Sequence, residues 1–215
     1  VFNMLSGIYK PTEGEINFWD KEDRVHSIGK KSPAKLNQIG IARTFQNIRL
    51  VNDLAVRDNV KIALHNHRRV NPIDVLLRTP AFRKDEKRMT EKVNQLLSLF
   101  KIEHKADELA KNLPYGEQRK LEIVRALAAN PSLLLLDEPA AGMNPQETDE
   151  LMKLIAFIRK EFNLTVLLIE HDMHLVMGIC EKLIVLDYGR IIASGNPEEI
   201  RKNPAVIKAY LGTEV

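Results

Sequence analysis

The sequence predicts an α/β fold in which a parallel β-sheet carries helices on its faces. Patterns typical of strands alternate along the chain with patterns typical of helices, which is the order that a parallel sheet requires. Two runs, LLLLD at 133–137 and LTVLLIEHD at 164–172, are too continuously apolar for half-exposed strands. They indicate strands buried on both faces, as in a parallel sheet.

The N-terminal part of the chain contains one helix pattern and two strand patterns. Residues 1–8 favour a helix, which Pro11 and a turn at Gly14 bring to an end. EINFWD, residues 15–20, alternates apolar and polar side chains and predicts a half-buried strand. IGIARTFQ, residues 39–46, predicts a second strand.

The middle of the chain is predicted to be helical. Residues 55–111 have helical patterns, with breaks at VNPID (70–74) and RTP (78–80). In the segment 119–129, four apolar side chains recur at helical spacing and share one face: Leu121, Val124, Leu127 and Ala128.

The C-terminal part resumes the alternation. Asn144, Pro145 and Glu147 form a typical helix start, with a cap residue, a proline in the first turn and a glutamate that completes a capping box. The sequence places four apolar side chains along this helix: Leu151, Leu154, Ile155 and Ile158. A hairpin is predicted to turn at Tyr188-Gly189, and two short helices follow it.

Composition excludes several classes of protein. The chain has 215 residues, of which 44% are hydrophobic, so it can bury a core. A net charge of +3 does not by itself indicate a nucleic-acid partner. A single cysteine, Cys180, excludes an intramolecular disulfide framework and a cysteine-rich metal site. No apolar run has the length of a membrane span.

Acidic residues follow both apolar runs, with Asp137 and Glu138 after the first and Glu170 and Asp172 after the second. In open parallel sheets, ligands bind beyond the carboxyl ends of the strands. Of two adjacent acids, one can hold magnesium and the other can orient and deprotonate a water, which suits phosphoryl transfer. The alternative is an ordinary strand exit with solvated acids, because an apolar run before Asp-Glu is a weak signal alone.

Five short segments, taken together, resemble the ATP-binding subunit of an ABC transporter. The resemblance covers the whole chain, and the segments follow one another in the order and spacing of that family. They correspond to the glutamine loop, the signature motif, the Walker B motif with its catalytic glutamate, the D-loop and the histidine switch: TFQN, LPYGEQRKLEIVRAL, LLLLDEP, AAGMN and LIEHDM.

The resemblance implies roles for four side chains. Asp137 resembles the Walker B aspartate, which helps to hold magnesium. Glu138 resembles the general base that activates the hydrolytic water. Gln46 resembles the glutamine that contacts magnesium and water and senses the membrane subunit. His171 resembles the switch histidine, which contacts the γ-phosphate of ATP.

The signature residues and the D-loop depart in places from the family pattern. In this family the signature contacts the ATP bound by a second subunit, so Pro114, Tyr115, Gly116 and Glu117 are implied to lie at a nucleotide, as is Asn144 of the D-loop. Pro114 replaces the usual serine and removes a hydroxyl donor, and Glu117 replaces a glutamine. Gly116 is expected to form a turn through which backbone N–H groups approach a phosphate.

The phosphate-binding loop of the family, G-x-x-x-x-G-K-[ST], does not occur in the chain. The opening VFNMLSGIYKPTEGEI resembles the sequence that directly follows this loop, and the chain begins with Val1 rather than methionine. We therefore expect a sequence truncated after the loop, without the loop and the strands before it. Such a chain is expected to be inactive alone, whereas the full-length protein is an ATPase.

The resemblance also implies the architecture. We expect one nucleotide-binding domain over 1–215, with a parallel-sheet core of the P-loop NTPase type formed by 1–48 and 131–215. Residues 49–130 are expected to form the α-helical subdomain that carries the signature. The early strand pattern is expected to be a remnant of the antiparallel β subdomain.

Several longer segments are similar to the branched-chain amino acid importers, specifically to their longer ATPase subunit. They include RTFQNIRL, the basic insertion before the signature and the ending NPEEIRKNPAVIKAYLG. This resemblance implies ATP and Mg²⁺ as cofactors, and membrane permease subunits and a second ATPase subunit as partners. It also implies an indirect link to a solute-binding protein, a peripheral location on the cytoplasmic face of the cell membrane, and no nucleic-acid partner.

Other functions remain as alternatives. The chain could serve another ABC importer, or it could be a non-hydrolysing fragment that binds a partner, although Glu138 and His171 disfavour a retired site. A chromosome-maintenance or DNA-repair ATPase is disfavoured, because no long coiled coil separates Gln46 from Leu113. A ribosome-associated factor would carry two cassettes in one chain.

Overall fold

The computed structural model describes residues 1–65 and 72–211. They form two compact units. The first unit contains residues 1–141 and 158–169, and the second contains residues 142–157 and 170–215. The predicted division into a core and a helical subdomain spanning 49–130 stays a prediction.

Two small sheets belong to the first unit. Strands β1 (Asn17–Trp19) and β2 (Val25–Ser27) pair as an antiparallel hairpin. Strands β3 (Ile41–Arg43), β4 (Leu133–Asp137) and β5 (Thr165–Ile169) form a parallel sheet in the order β3-β4-β5. The prediction of an α/β fold with a parallel sheet is therefore confirmed.

Along the chain, the helices of the first unit either precede β3 or lie between β3 and β4. Their bounds are α1 Phe2–Leu5, α2 Pro33–Gln38, α3 Val56–Leu64, α4 Pro72–Leu77, α5 Pro80–Leu99 and α6 Tyr115–Ala128. Helix α3 packs against α5 and α6, and Val60, Leu97 and Leu121 are fully buried in these helices. The apolar face that the sequence predicts for α6 is buried.

Strand β4 is the central strand of the parallel sheet. Its side chains Leu134, Leu135 and Leu136 have no exposed surface. Successive side chains of a strand point to opposite faces, so both faces of β4 are covered. On one face, Leu135 packs in a cluster with Phe2 and Ile41. The predicted burial of this run on both faces is confirmed.

Strand β5 differs from its prediction. Along β5, half-buried and exposed side chains alternate, and Leu167 and Ile169 are 38% and 41% exposed. The expectation of a strand buried on both faces is therefore wrong here. The physical reason is position, because β5 lies at the edge of the sheet formed by the described residues, and an apolar run alone does not distinguish an edge strand from a central one.

Smaller differences concern element bounds. The predicted helix over 1–8 is observed only as α1, and the strand predicted over 39–46 ends at Arg43. Strand β2 and helix α2 were not predicted. Helix α2 has the usual start signals, with Ser32 accepting a hydrogen bond as its N-cap and Pro33 in its first turn.

Helix α7 (Pro145–Glu161) begins in the second unit and continues into the first. Its start is a capping box, as predicted. The backbone N–H of Glu147 donates to Oδ1 of Asn144 at 3.0 Å, and the backbone N–H of Asn144 donates to Oε2 of Glu147 at 2.9 Å. Leu151 and Ile155 are buried along the helix, which agrees with its predicted apolar face.

The remainder of the second unit contains one helix, a hairpin and two short helices: α8 Met173–Ile179, β6 Leu183–Asp187, β7 Arg190–Gly195, α9 Pro197–Arg201 and α10 Pro204–Leu211. The hairpin turns at Tyr188 and Gly189, which have φ values of +43° and +79°, as predicted from the sequence. None of the helices in the described ranges is long and apolar enough to cross a membrane.

A pair of leucine substitutions tests the difference between β4 and β5. Leu135 and Leu167 are partners in the parallel register. Leu135→Ala is expected to lower the free energy of unfolding by about 2–5 kcal/mol, because a fully buried leucine leaves a cavity. Leu167→Ala is the matched control and is expected to cost about 1 kcal/mol. Chemical denaturation of both variants measures this, and equal losses would contradict the edge position of β5.

Candidate functional site

The candidate site lies where β3 and β4 end. Parallel strands bring their carboxyl ends to the same edge of a sheet, and ligands bind beyond that edge. Gln46 follows β3, and Glu138 follows β4. The side-chain amide of Gln46 donates a hydrogen bond to Oε2 of Glu138 at 2.6 Å. Two of the residues singled out from the sequence are therefore in direct contact.

The backbone of Glu138 is bent out of the strand conformation. Its φ is +43°, in the left-handed region that costs a residue other than glycine about 1–3 kcal/mol. Its N–H still donates to the carbonyl of Ile169 at 2.9 Å, and its carbonyl accepts from the N–H of Ala141 at 3.2 Å. The chain therefore leaves the sheet in a tight turn at Glu138.

Asp137 is held by Arg43, the last residue of β3. The guanidinium of Arg43 donates to Oδ2 of Asp137 at 2.6 Å and to Oδ1 of Asn3 at 2.9 Å. It also lies 4.9 Å from the centre of the Phe45 ring. Both acids therefore contact the segment from Arg43 to Gln46. Asp137 contacts Arg43, and Glu138 contacts Gln46.

Arg119 of α6 fixes the backbone of this segment. Its guanidinium donates to the carbonyl of Phe45 at 2.7 Å and to the carbonyl of Gln46 at 2.8 Å. It also forms an ion pair with Glu122 at 2.9 Å, and the side chains of both partners are 1% exposed. A charged pair at this depth carries strong hydrogen bonds in a region of low dielectric constant.

Sequence reasoning missed Arg43, Arg119 and Glu122. One signal was present for the α6 pair, because Arg119 and Glu122 stand one helical turn apart in the segment 119–129, whose apolar face is buried. For Arg43 the signal was its position, because this cationic residue lies in the predicted strand 39–46 while Asp137 ends the apolar run 133–137.

The signature residues form the start of α6. Pro114 occupies the N-cap position, where it offers no side-chain acceptor, and Tyr115 begins the helix. Oε2 of Glu117 pairs with the ammonium of Lys105 at 2.5 Å. Gly116 lies inside the first helical turn and does not have a positive φ, so the expectation of a glycine turn before the helix is wrong. The reason is that the helix begins one residue earlier than the glycine.

His171 and Asn144 belong to the second unit. The side chain of His171 is 73% exposed, and its backbone N–H donates to Oε2 of Glu170 at 3.1 Å. The next residue, Asp172, caps α8 by accepting from the N–H of Leu175 at 3.1 Å. The side-chain oxygen of Asn144 accepts the hydrogen bond that caps α7. Their predicted approach to a nucleotide stays a prediction.

The side chains at this edge fit a magnesium ion better than a softer metal. Asp137 and Gln46 present a carboxylate and an amide oxygen, which are hard ligands. The nitrogen of the Gln46 amide is committed to Glu138, so its oxygen is the atom left for a cation. Within the described ranges, three or more His, Cys, Asp or Glu side chains nowhere gather as a metal cluster. Magnesium with a nucleotide needs only one or two protein ligands.

A parallel sheet with acids and a glutamine at its carboxyl edge is typical of the α/β proteins that bind a ligand at that edge. Residues 1–141 match the sequence model described as ABC transporter, and residues 190–215 match the one described as branched-chain amino acid ATP-binding cassette transporter. The chain belongs to the ABC transporter family, as an ATP-binding and ATP-hydrolysing subunit.

Relatives match almost the whole chain. It is 47% identical to the high-affinity branched-chain amino acid transport ATP-binding protein BraF of Pseudomonas aeruginosa, over 99% of this chain and 81% of that protein. It is 44% identical to the corresponding protein LivG of Escherichia coli, with the same coverage. A solved structure of an ATP-binding cassette of an ABC transporter, in its ADP conformation, superposes with a TM-score of 0.79. That structure is 29% identical, over 98% of this chain and 82% of its own.

Removal of the Gln46 side chain tests its contact with Glu138. In the complete protein, Gln46→Ala is expected to lower kcat for ATP hydrolysis by about 10-fold or more, because the carboxylate loses the donor that orients it. Steady-state kinetics measures the effect. Asn47→Ala, at the exposed neighbouring residue, is the control and should leave kcat near its original value. Equal effects of the two substitutions would contradict a specific role for Gln46.

Proposed function

We propose that this chain is the subunit that binds and hydrolyses ATP to power the import of branched-chain amino acids through a membrane ABC transporter. The observation that carries the hydrolytic part is the 2.6 Å contact between Gln46 and Glu138 at the carboxyl ends of paired parallel strands. Support for the substrate class comes from the two bacterial relatives, which are 47% and 44% identical and are branched-chain amino acid transport proteins by name.

Glu138 is the general base of the proposed reaction. Its Oε2 accepts from Gln46, so Oε1 is the atom that takes a proton from the attacking water. The hydroxide then attacks the γ-phosphorus, and ADP leaves with the electrons of the broken P–O bond.

Asp137 and the amide oxygen of Gln46 would hold magnesium at this site. When bound, the ion neutralises negative charge on the phosphate oxygens. Arg43 already compensates the charge of the Asp137 carboxylate at 2.6 Å.

The signature residues would serve a nucleotide held by a second ATPase subunit. The start of α6 supports this, because no side chain caps the helix and the N–H groups of a helix N-terminus can bind an anion. Pro114, Tyr115, Gly116 and Glu117 stand there. In the same arrangement, Asn144 would lie near the dimer interface and His171 would contact the γ-phosphate.

Membrane permease subunits are the proposed partners of the segment that follows Gln46. Such a partner places the protein at the cytoplasmic face of the membrane, with a solute-binding protein acting through the permease. Residues Gln46, Asn47 and Arg49 are exposed and follow directly on the site, so a docked helix here could influence the base.

An ATPase subunit of a different importer is the second candidate. A methionine import ATP-binding protein of Campylobacter jejuni is 32% identical over 99% of the chain. The higher identity to BraF and LivG favours branched-chain substrates.

Uptake in cells separates these two candidates. Deletion of the gene should reduce uptake of radiolabelled leucine, isoleucine and valine and leave methionine uptake unchanged, because only the permease coupled to this ATPase loses its energy source. Restoration of the intact gene is the control. Loss of methionine uptake with normal leucine uptake would overturn the proposed substrate class.

Substitution of the base tests the mechanism. In the complete protein, Glu138→Gln is expected to lower ATP hydrolysis by about 10²-fold or more, because the amide keeps the shape but cannot accept the proton. Nucleotide affinity should remain near its original value, as measured by equilibrium binding with magnesium and ATP. Glu147→Gln, in the cap of α7, is a control with the same chemical change. Near-normal turnover of Glu138→Gln would refute the role of the base.

A further inference from the structure

The segment between β3 and α3 that contains Gln46 has no regular secondary structure over residues 44–50. Apart from the N–H of Thr44, which still donates to the carbonyl of Leu135 at 3.0 Å, its backbone groups do not take part in a helix or a strand ladder. Three of them are instead bound by α6. Arg119 donates to the carbonyls of Phe45 and Gln46, and Oε1 of Glu122 accepts from the N–H of Arg49 at 3.2 Å.

The two α6 side chains act as a unit. The guanidinium of Arg119 donates to Oε2 of Glu122 at 2.9 Å, so one carboxylate joins the arginine and the Arg49 amide. The guanidinium of Arg49 also lies 4.0 Å from the centre of the Phe45 ring, which closes the segment on itself. The pair and the segment form one connected network.

Stability alone does not account for this pair. A buried ion pair recovers its desolvation cost only with excellent geometry, and apolar residues of similar volume often stabilise as well or better. Leu121, Ile123 and Val124 are neighbours of the pair on α6 and are fully buried. The helix therefore does place apolar side chains at other buried positions. What apolar side chains cannot supply is two donors for carbonyls and an acceptor for an amide on an irregular segment.

A second link joins Arg119 to the turn that carries Glu138. The guanidinium of Arg119 donates to the hydroxyl of Tyr115 at 3.3 Å, and that hydroxyl donates to the carbonyl of Ala141 at 2.9 Å. Ala141 in turn donates its N–H to the carbonyl of Glu138. Helix α6 therefore holds both partners of the Gln46–Glu138 contact.

We propose that Arg119 and Glu122 are positioning residues for ATP hydrolysis, which hold the backbone from Phe45 to Arg49 so that the Gln46 amide reaches Glu138. Their effect passes through the side chain of Gln46, so the proposal rests on the proposed role of that residue in hydrolysis.

The test uses the complete protein with Arg119→Met and Glu122→Gln combined. This double variant leaves neither member of the Arg119–Glu122 pair as an isolated buried charge, and the glutamine oxygen can still accept from Arg49. We expect kcat to fall by about 10-fold, because the orientation of the Gln46 amide towards Glu138 is lost. The control is Lys61→Met with Glu86→Gln, the same chemical changes at a 2.6 Å ion pair between α3 and α5 whose side chains are 28% and 29% exposed.

Epistasis with Gln46 distinguishes positioning from a merely structural role. In a Gln46→Ala background, the double substitution on α6 should change kcat by less than about 2-fold, because groups that act as one unit are non-additive. A full further loss in that background would overturn the proposal. An unchanged kcat in the original background would overturn it as well.

A spin label reports on the segment without any hydrolysis. The label is placed on a cysteine at exposed Asn47, in a protein whose native cysteines are replaced. The double substitution on α6 should increase its mobility, and the control pair should not. Equal mobility would overturn the proposal, whereas increased mobility with normal hydrolysis in Gln46→Ala would instead refute the proposed function of Gln46.

Arg119→Lys keeps the test valid if the double variant does not fold. Lysine preserves the charge opposite Glu122 but cannot reach two carbonyls with a planar fork. We expect an intermediate loss of kcat and an intermediate label mobility. A lysine variant equal to the original protein in both measurements would overturn the proposal.

Discussion

The parallel pairing of β3 with β4 is the constraint on which the site depends. Its register aligns Arg43 with Leu135, so the two chains leave the sheet at the same edge. The arginine at the end of one strand then reaches the aspartate at the end of the other at 2.6 Å. Full burial of the β4 leucines fixes this register, because a slip by one residue would reverse which face each side chain occupies.

Helix α6 has two tasks that use different residues. Its apolar side chains, such as Leu121 and Val124, build the core with α3 and α5. Its polar residues, Arg119 and Glu122, bind the backbone of a segment that has no regular structure of its own. Because a helix is stiff along its axis, the close packing of α6 in the core also fixes the positions of Gln46 and Glu138 at the strand ends.

The sequence was sufficient where the signal is local. The capping box at Asn144, the hairpin turn at Tyr188 and the buried run of β4 follow from patterns a few residues long, and the structure has all three. Arg119 meets Gln46 across 73 positions and Arg43 meets Asp137 across 94, and no local pattern encodes such pairs. The exposure of β5 was missed for the same reason, since strand order is a property of the whole sheet.

Pro114 at the start of α6 has a consequence for the thermodynamics of the helix end. The side chain of serine, threonine, aspartate or asparagine at this position would accept from an N–H of the first turn, and the side chain of proline cannot. The amides of Tyr115 and Gly116 must therefore be satisfied by solvent or by a molecule from outside. An anion that binds them acts as an N-cap, so its binding and the fraying of the first turn are coupled equilibria.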